Sequence, residues 1–167
     1  MAHNKKNSGD EPELEERVVN INRCSKVVKG GRNFSFSALV VVGNRAGKIG
    51  FALGKANEVA DAIRKGNELA RRSLIDIPLH GVTLPHEVTS RFRGGKIIMR
   101  PASPGTGIIA GGGMRAVLEL AGVHDVLAKS LGSNNPVNVV KATMNALASM
   151  QSRKHVFEKR GLSHAKA

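Results

Sequence analysis

The chain has 167 residues, with 26 Lys and Arg against 13 Asp and Glu, a formal net charge of +13 and only 3% aromatic residues. A balance this basic points to a polyanionic partner, usually nucleic acid, and the single cysteine, Cys24, excludes a disulfide framework or a cysteine zinc cluster and suits a reducing cytoplasm. No apolar run approaches the roughly 20 residues of a membrane span, the N-terminus lacks a signal-peptide core, and no basic helix carries bulky apolar anchors, so no membrane partner is expected.

Residues 1–13 are polar and charged and read as a disordered tail. Residues 17–28 read as a strand. Gly30-Gly31 follows as a hairpin signal, and the basic residues on both sides suggest a longer loop. Residues 34–42 alternate, with Phe34, Phe36, Ala38, Val40 and Val42 on one face. After a turn at Gly43-Asn44-Arg45-Ala46-Gly47, residues 48–54 put Ile49, Phe51 and Leu53 on one face and Gly50, Ala52 and Gly54 on the other. Such small residues admit a second backbone at close range, and the chain's own helix is the expected neighbour. Asn57 is the expected cap of a helix running to about Leu74, with Val59, Ile63, Gly66, Leu69 and Ala70 as its buried stripe. This first unit, 14–77, is three antiparallel strands and a helix expected to close a core of its own.

Residues 75–81 read as a linker. In the second unit, 78–150, residues 82–93 and 96–100 form a hairpin about Gly94-Gly95. A helix over 114–121 ends at Gly122, and 123–131 is a strand. Asn135 caps a final helix with Pro136 at its first position and Val137, Val140, Met144 and Leu147 on its apolar face. Residues 151–167 form a basic tail. The whole is α+β in two small domains.

The stretch over 101–115 holds two prolines and five glycines. Gly105, Gly107 and Ala110 match a dinucleotide fingerprint with Asp125 downstream, but Pro101 and Pro104 separate it from the preceding strand and Gly111, Gly112 and Gly113 would fall inside the helix. The phosphate loop is absent too: the glycine–lysine spacings at Gly43 to Lys48 and Gly50 to Lys55 are one residue short, and Ile49 and Ala56 stand where a hydroxyl must bind magnesium. No H-E-x-x-H or nucleophile elbow occurs, and acids are sparse beyond the N-terminus. Cys24 has no candidate base nearby and reads as a small strand residue. No enzyme, cofactor or metal is therefore expected, and the stretch reads as a rigid connector packed against a neighbour.

What remains is positive charge, expected on loops: Arg23, Lys26, Lys29 and Arg32 in the first hairpin, Arg45 and Lys48 in the second, Lys55 at the opening of the helix, and Arg91, Arg93, Lys96 and Arg100 in the second unit. Their placement beside glycines favours phosphate contact. Without an aromatic platform for stacking single-stranded bases, recognition of folded RNA by shape and backbone is the better fit.

Ser25-Lys26-Val27-Val28-Lys29-Gly30-Gly31-Arg32, Phe34-Ser35-Phe36, Gly54-Lys55-Ala56 and Pro101-Ala102-Ser103-Pro104-Gly105-Thr106-Gly107-Ile108-Ile109-Ala110-Gly111-Gly112 stand in the order of one family, and Gly132-Ser133-Asn134-Asn135-Pro136 continues it. Over residues 17–147 the chain resembles bacterial small ribosomal subunit protein five. The resemblance implies a double-stranded-RNA-binding-like β-β-β-α domain and a second domain with a left-handed β-α-β crossover. It also implies binding to small-subunit rRNA where head meets body, near the place where mRNA enters, contacts with ribosomal proteins four and eight, an influence on decoding accuracy, and a cytoplasmic location. Arg23, Ser25, Lys26, Lys29, Gly30, Gly31, Arg32, Arg45, Lys48 and Lys55 are then the expected rRNA-binding residues. Gly107 and Arg115 lie near the expected contact with protein four, and Gly107 is expected either to take a positive φ or to pass close to a neighbour. Ala52 and Ala60 depart from the family's usual glycine and proline. The alternatives are a free double-stranded-RNA binder or chaperone, and an enzyme resembling some small-molecule kinases, which would need the phosphate loop and acid that are missing.

Overall fold

A computed structural model describes residues 14–161; the expected N-terminal tail lies outside them, as do the last residues of the basic tail. Two four-stranded sheets form the framework. The first has the order β1(Glu15–Val28), β2(Gly31–Gly43), β3(Lys48–Ala56), β4(Ile75–Asp76), all antiparallel. Helix α1(Val59–Arg72) lies across it. The second sheet contains β5(Val88–Phe92), β6(Gly95–Pro101), β7(Ile108–Ile109) and β8(Val126–Ser130), in the order β5-β6-β8-β7. Only β7 and β8 are parallel, and α2(Gly112–Ala121) makes the crossover between them. Helix α3(Pro136–Ser149) packs on β5, β6 and α2, and α4(Arg153–Lys159) follows in the basic tail.

Several local expectations need correction. The first hairpin has no long loop: Val28 pairs with Gly31, leaving Lys29 and Gly30 as a two-residue turn. Gly30, at φ 98°, supplies the left-handed backbone a tight reversal needs. Lys55 is the penultimate residue of β3 and does not open a helix, and the residue capping α1 is Glu58, not Asn57, with no side-chain cap bond. The helix stops at Arg72. Leu69 is 47% exposed, while Ala62 joins Gly66 and Ala70 on the buried face. The reason is the small face of β3: a Cβ on Gly54 would overlap the Ala62 carbonyl oxygen, and one on Gly50 the Ala70 carbonyl oxygen. At such a separation only Ala and Gly fit beneath the helix. The chain's own helix is thus the close neighbour, as expected.

The segment read as a linker adds β4 to the edge of the first sheet, Ile75 opposite Ile49. The strand placed over 82–93 starts only at Val88, after Pro85 has passed. Its reversal runs through Arg93 (φ 49°) and Gly94. Helix α2 opens at Gly112, two residues earlier than expected, so the glycine run is partly helical. The strand placed over 123–131 is shorter, Val126–Ser130. Gly122 ends α2 at φ 89°, and the Asn135 side chain accepts from Val137 N–H at 3.0 Å with Pro136 at the first helical position, both as read from sequence.

The largest difference concerns the core. Ala38, Val40 and Val42 of β2 pack under α1, the expected small core. Leu39 and Val41 point the other way and are equally buried, in a second cluster with Ile49, Met114, Val117, Leu118 and Leu120. The first unit thus keeps a small core under α1, and the second cluster is shared between the two units. Over residues 38–42 both faces of β2 are covered, one by α1 and the other by α2, most of whose residues are buried as in a central helix.

Candidate nucleic-acid interface

β1 and β2 continue past the end of β3, whose last pair with β2 is Phe36–Ala56. Beyond it the pairs from Cys24–Ser35 to Val28–Gly31 form a two-stranded ribbon, with Arg23 opposite Phe36 at its root. Alternation divides its side chains. Arg23, Ser25, Val27, Arg32 and Phe34 share the face that carries α1 further back; Lys26 and Asn33 share the other. Lys29 stands in the tip, where a Cβ on either Gly30 or Gly31 would meet nothing within 4 Å. No Asp or Glu occurs from residue 17 to residue 57. An uncovered ribbon bearing Arg23, Lys26, Lys29 and Arg32 is a positive probe, suited to contact phosphates from both faces and the tip.

One expectation about this region changes. The cations lie mainly on strands, not on a loop, because the tight turn draws the flanking residues into the ladder. The Arg23 guanidinium also lies 4.7 Å from the centroid of the Phe34 ring, diagonally across the strands. The sequence signal was the period-two spacing that puts Arg23 and Phe34 on one face, legible only once the register is known.

The remaining candidates do not join this cluster. Lys55 sits at the root of the ribbon, opposite Ser37. Arg45 and Lys48 lie at the other end of β2, about 40 Å from the tip at ~3.3 Å per residue. There Arg45 is a joint residue. Its backbone is left-handed (φ 53°), its N–H donates to the Leu120 carbonyl oxygen at 3.0 Å, and its guanidinium pairs with Glu15 at 2.6 Å. Gly47 N–H donates to the Ala121 carbonyl oxygen at 3.0 Å. These bonds satisfy two of the last carbonyls of α2, and Gly122 and Val123 N–H satisfy those of Leu118 and Glu119. A Cβ on Gly122 would overlap the Arg45 carbonyl oxygen, and one on Gly43 the Leu120 carbonyl oxygen. Arg17 pairs with Glu119 across the same joint.

Gly107 lies in the connector between β6 and β7 with φ 76° and nothing within 4 Å of a Cβ position. Of the two expected reasons for a glycine there, the first holds: the residue meets a backbone requirement and not a crowded neighbour. Gly107 N–H donates at 2.8 Å to the carboxylate of Asp125, 5% exposed, and the Gly107 carbonyl accepts from Val126 at 3.2 Å. Asp125, a candidate ribose ligand in the rejected fingerprint, is thus a structural acceptor. Arg115 of α2 donates to the Ile108 carbonyl oxygen at 2.7 Å, closing the connector from the helix side.

Among the described residues no cluster of three His, Cys, Asp or Glu side chains could hold a metal ion. Fold and surface together define a basic, two-sheet α+β protein whose exposed chemistry is charge presented on a rigid frame. Family models for ribosomal protein S5 match its two parts, the N-terminal domain over residues 14–78 and the C-terminal domain over residues 90–160. It is 55% identical over 152 residues to the small ribosomal subunit protein uS5 of Protochlamydia amoebophila, covering 91% of each chain. To the protein of the same name from Chlamydia abortus it is 56% identical over 160 residues, 95% of this chain and 97% of the relative. To that of Chloroflexus aurantiacus it is 59% identical over 151 residues, 90% and 85%. The chain belongs to the ribosomal protein S5 family; it is a small-subunit ribosomal protein and not an enzyme.

Proposed function

We propose that this protein, working in the cytoplasmic small subunit, binds rRNA through the β1–β2 ribbon and holds head against body near the place where mRNA enters. The carrying observation is the ribbon itself, with Arg23, Lys26, Lys29 and Arg32 on a hairpin that nothing among the described residues covers. Ser25, Gly30 and Gly31 shape its tip, and Lys55 extends the positive surface along its root. The rigid frame suits a protein that fixes the spacing between two parts of an RNA. In this reading the connector around Gly107 and Arg115 faces protein four, another surface meets protein eight, and the contact with protein four tunes decoding accuracy.

Each phosphate contact removed lowers the slope of log affinity against log salt by about 0.7–0.9. Lys29→Ala in the full-length protein is expected to reduce the slope by about that amount for a small-subunit rRNA transcript, at an unchanged thermal midpoint. An unaltered slope would show Lys29 to be a solvated turn residue.

A further inference from the structure

Phe34 stands outside everything that explains the other phenylalanines near it. Phe36, two residues on, packs against the small core under α1; Phe34 belongs to neither apolar cluster and is 46% exposed. It lies beyond the last β2–β3 pair, where no third strand among the described residues pairs with the ribbon. Val27, on the same face, is 74% exposed. The exposed parts of Phe34 and Val27 make a small apolar patch on an otherwise cationic ribbon.

We infer that Phe34 and the Arg23 guanidinium beside it form a stacking platform for a single unpaired base of the bound rRNA. The inference rests on the rRNA reading above and adds the group recognised and the residues that take it. A phosphate needs N–H donors, which Lys26, Lys29 and Arg32 provide; it gains nothing from a benzene ring. A nucleobase offers a flat π-face, which stacks on Phe and on guanidinium planes alike. The 4.7 Å separation already holds the guanidinium over the ring, so the platform exists before the ligand arrives. The surrounding charge selects the class of partner. With no acid between residues 17 and 57, the patch repels a basic protein surface and attracts a polyanion.

The chain has no Trp and no Tyr, so Phe34→Trp introduces its single strong fluorophore at the platform. The test uses full-length protein and a small-subunit rRNA transcript. Phe34→Leu, apolar but not planar, is expected to weaken binding about five- to 150-fold, the range that alanine substitution of stacking aromatics gives, with the salt slope of the unsubstituted protein kept. Phe34→Trp is expected to bind as the unsubstituted protein does and to lose emission on saturation with RNA. Wild-type affinity for Phe34→Leu, or full emission from Phe34→Trp in an RNA complex confirmed by filter retention, overturns the platform. Normal RNA affinity for Phe34→Leu combined with failure to enter subunits also overturns it and assigns the patch to a protein. Lys29→Ala keeps the two readings apart: if its slope is unaltered while Phe34→Leu still weakens binding, the phosphate assignment fails and the platform stands.

Discussion

Glycines gather at both ends of β2, and they do opposite things. At the ribbon tip, a Cβ on Gly30 or Gly31 would meet nothing within 4 Å, which leaves the backbone open to a partner. At the joint, Gly43 and Gly122 have no room for a Cβ because β2, the β2–β3 turn and α2 press backbone against backbone. One end is cationic and uncovered. At the other, the two arginines are spent on ion pairs, Arg45 with Glu15 and Arg17 with Glu119. A glycine beside an arginine therefore signals a ligand site only where the surrounding backbone is free.

Cutting through the joint is the harshest way to break this contrast. A fragment of residues 14–77 keeps the α1 core but exposes Leu39, Val41 and Ile49, which are buried against the second unit. We expect no cooperative thermal transition from it, whereas the full chain melts cooperatively; so small a piece is marginal even with its core intact. A sharp transition from the fragment would show that α1 alone stabilises the sheet.

Gly122→Val is the next largest. Its φ of 89° disfavours any branched side chain, and the new atoms would meet the Arg45 carbonyl oxygen. Strain and overpacking together are expected to remove roughly 2–5 kcal/mol, lowering the thermal midpoint by about 5–20 °C. The salt slope of RNA binding by the folded fraction should not move. A lowered slope would mean that joint and ribbon are not independent.

Gly107→Arg sharpens the comparison from a third position, where the backbone is left-handed yet space is open. The substitution is expected to destabilise the free protein by only about 1–2 kcal/mol. On the proposed function it also sets a long cation into the contact with protein four, and near-cognate misreading by reconstituted ribosomes should rise. Thermal midpoint and error rate are measured on the same variant. Normal error with a sharply lowered midpoint would leave Gly107 a structural glycine and no more.

Local pattern alone determined much of this protein. Alternation over 34–42 placed β2, the Gly50/Ala52/Gly54 face announced a close helix, and Asn135-Pro136 and Gly122 marked helix ends, because capping and pleating depend on residues within a few positions of each other. The basic hairpin and the family resemblance were equally legible. Tertiary structure decided the rest. Leu39 and Val41 looked like the apolar filling of an ordinary strand, and only the docking of α2, more than seventy residues away, made them a second core. Arg45 and Lys29 are the same kind of residue beside the same kind of glycine; one is tied into a helix end and the other is free, a difference set by which backbone lies opposite. The Arg23–Phe34 pair belongs here too, since an eleven-residue separation becomes a contact only through the register of the turn between them. Sequence specifies such long-range pairings only through the whole fold, because each depends on how distant surfaces fill space together.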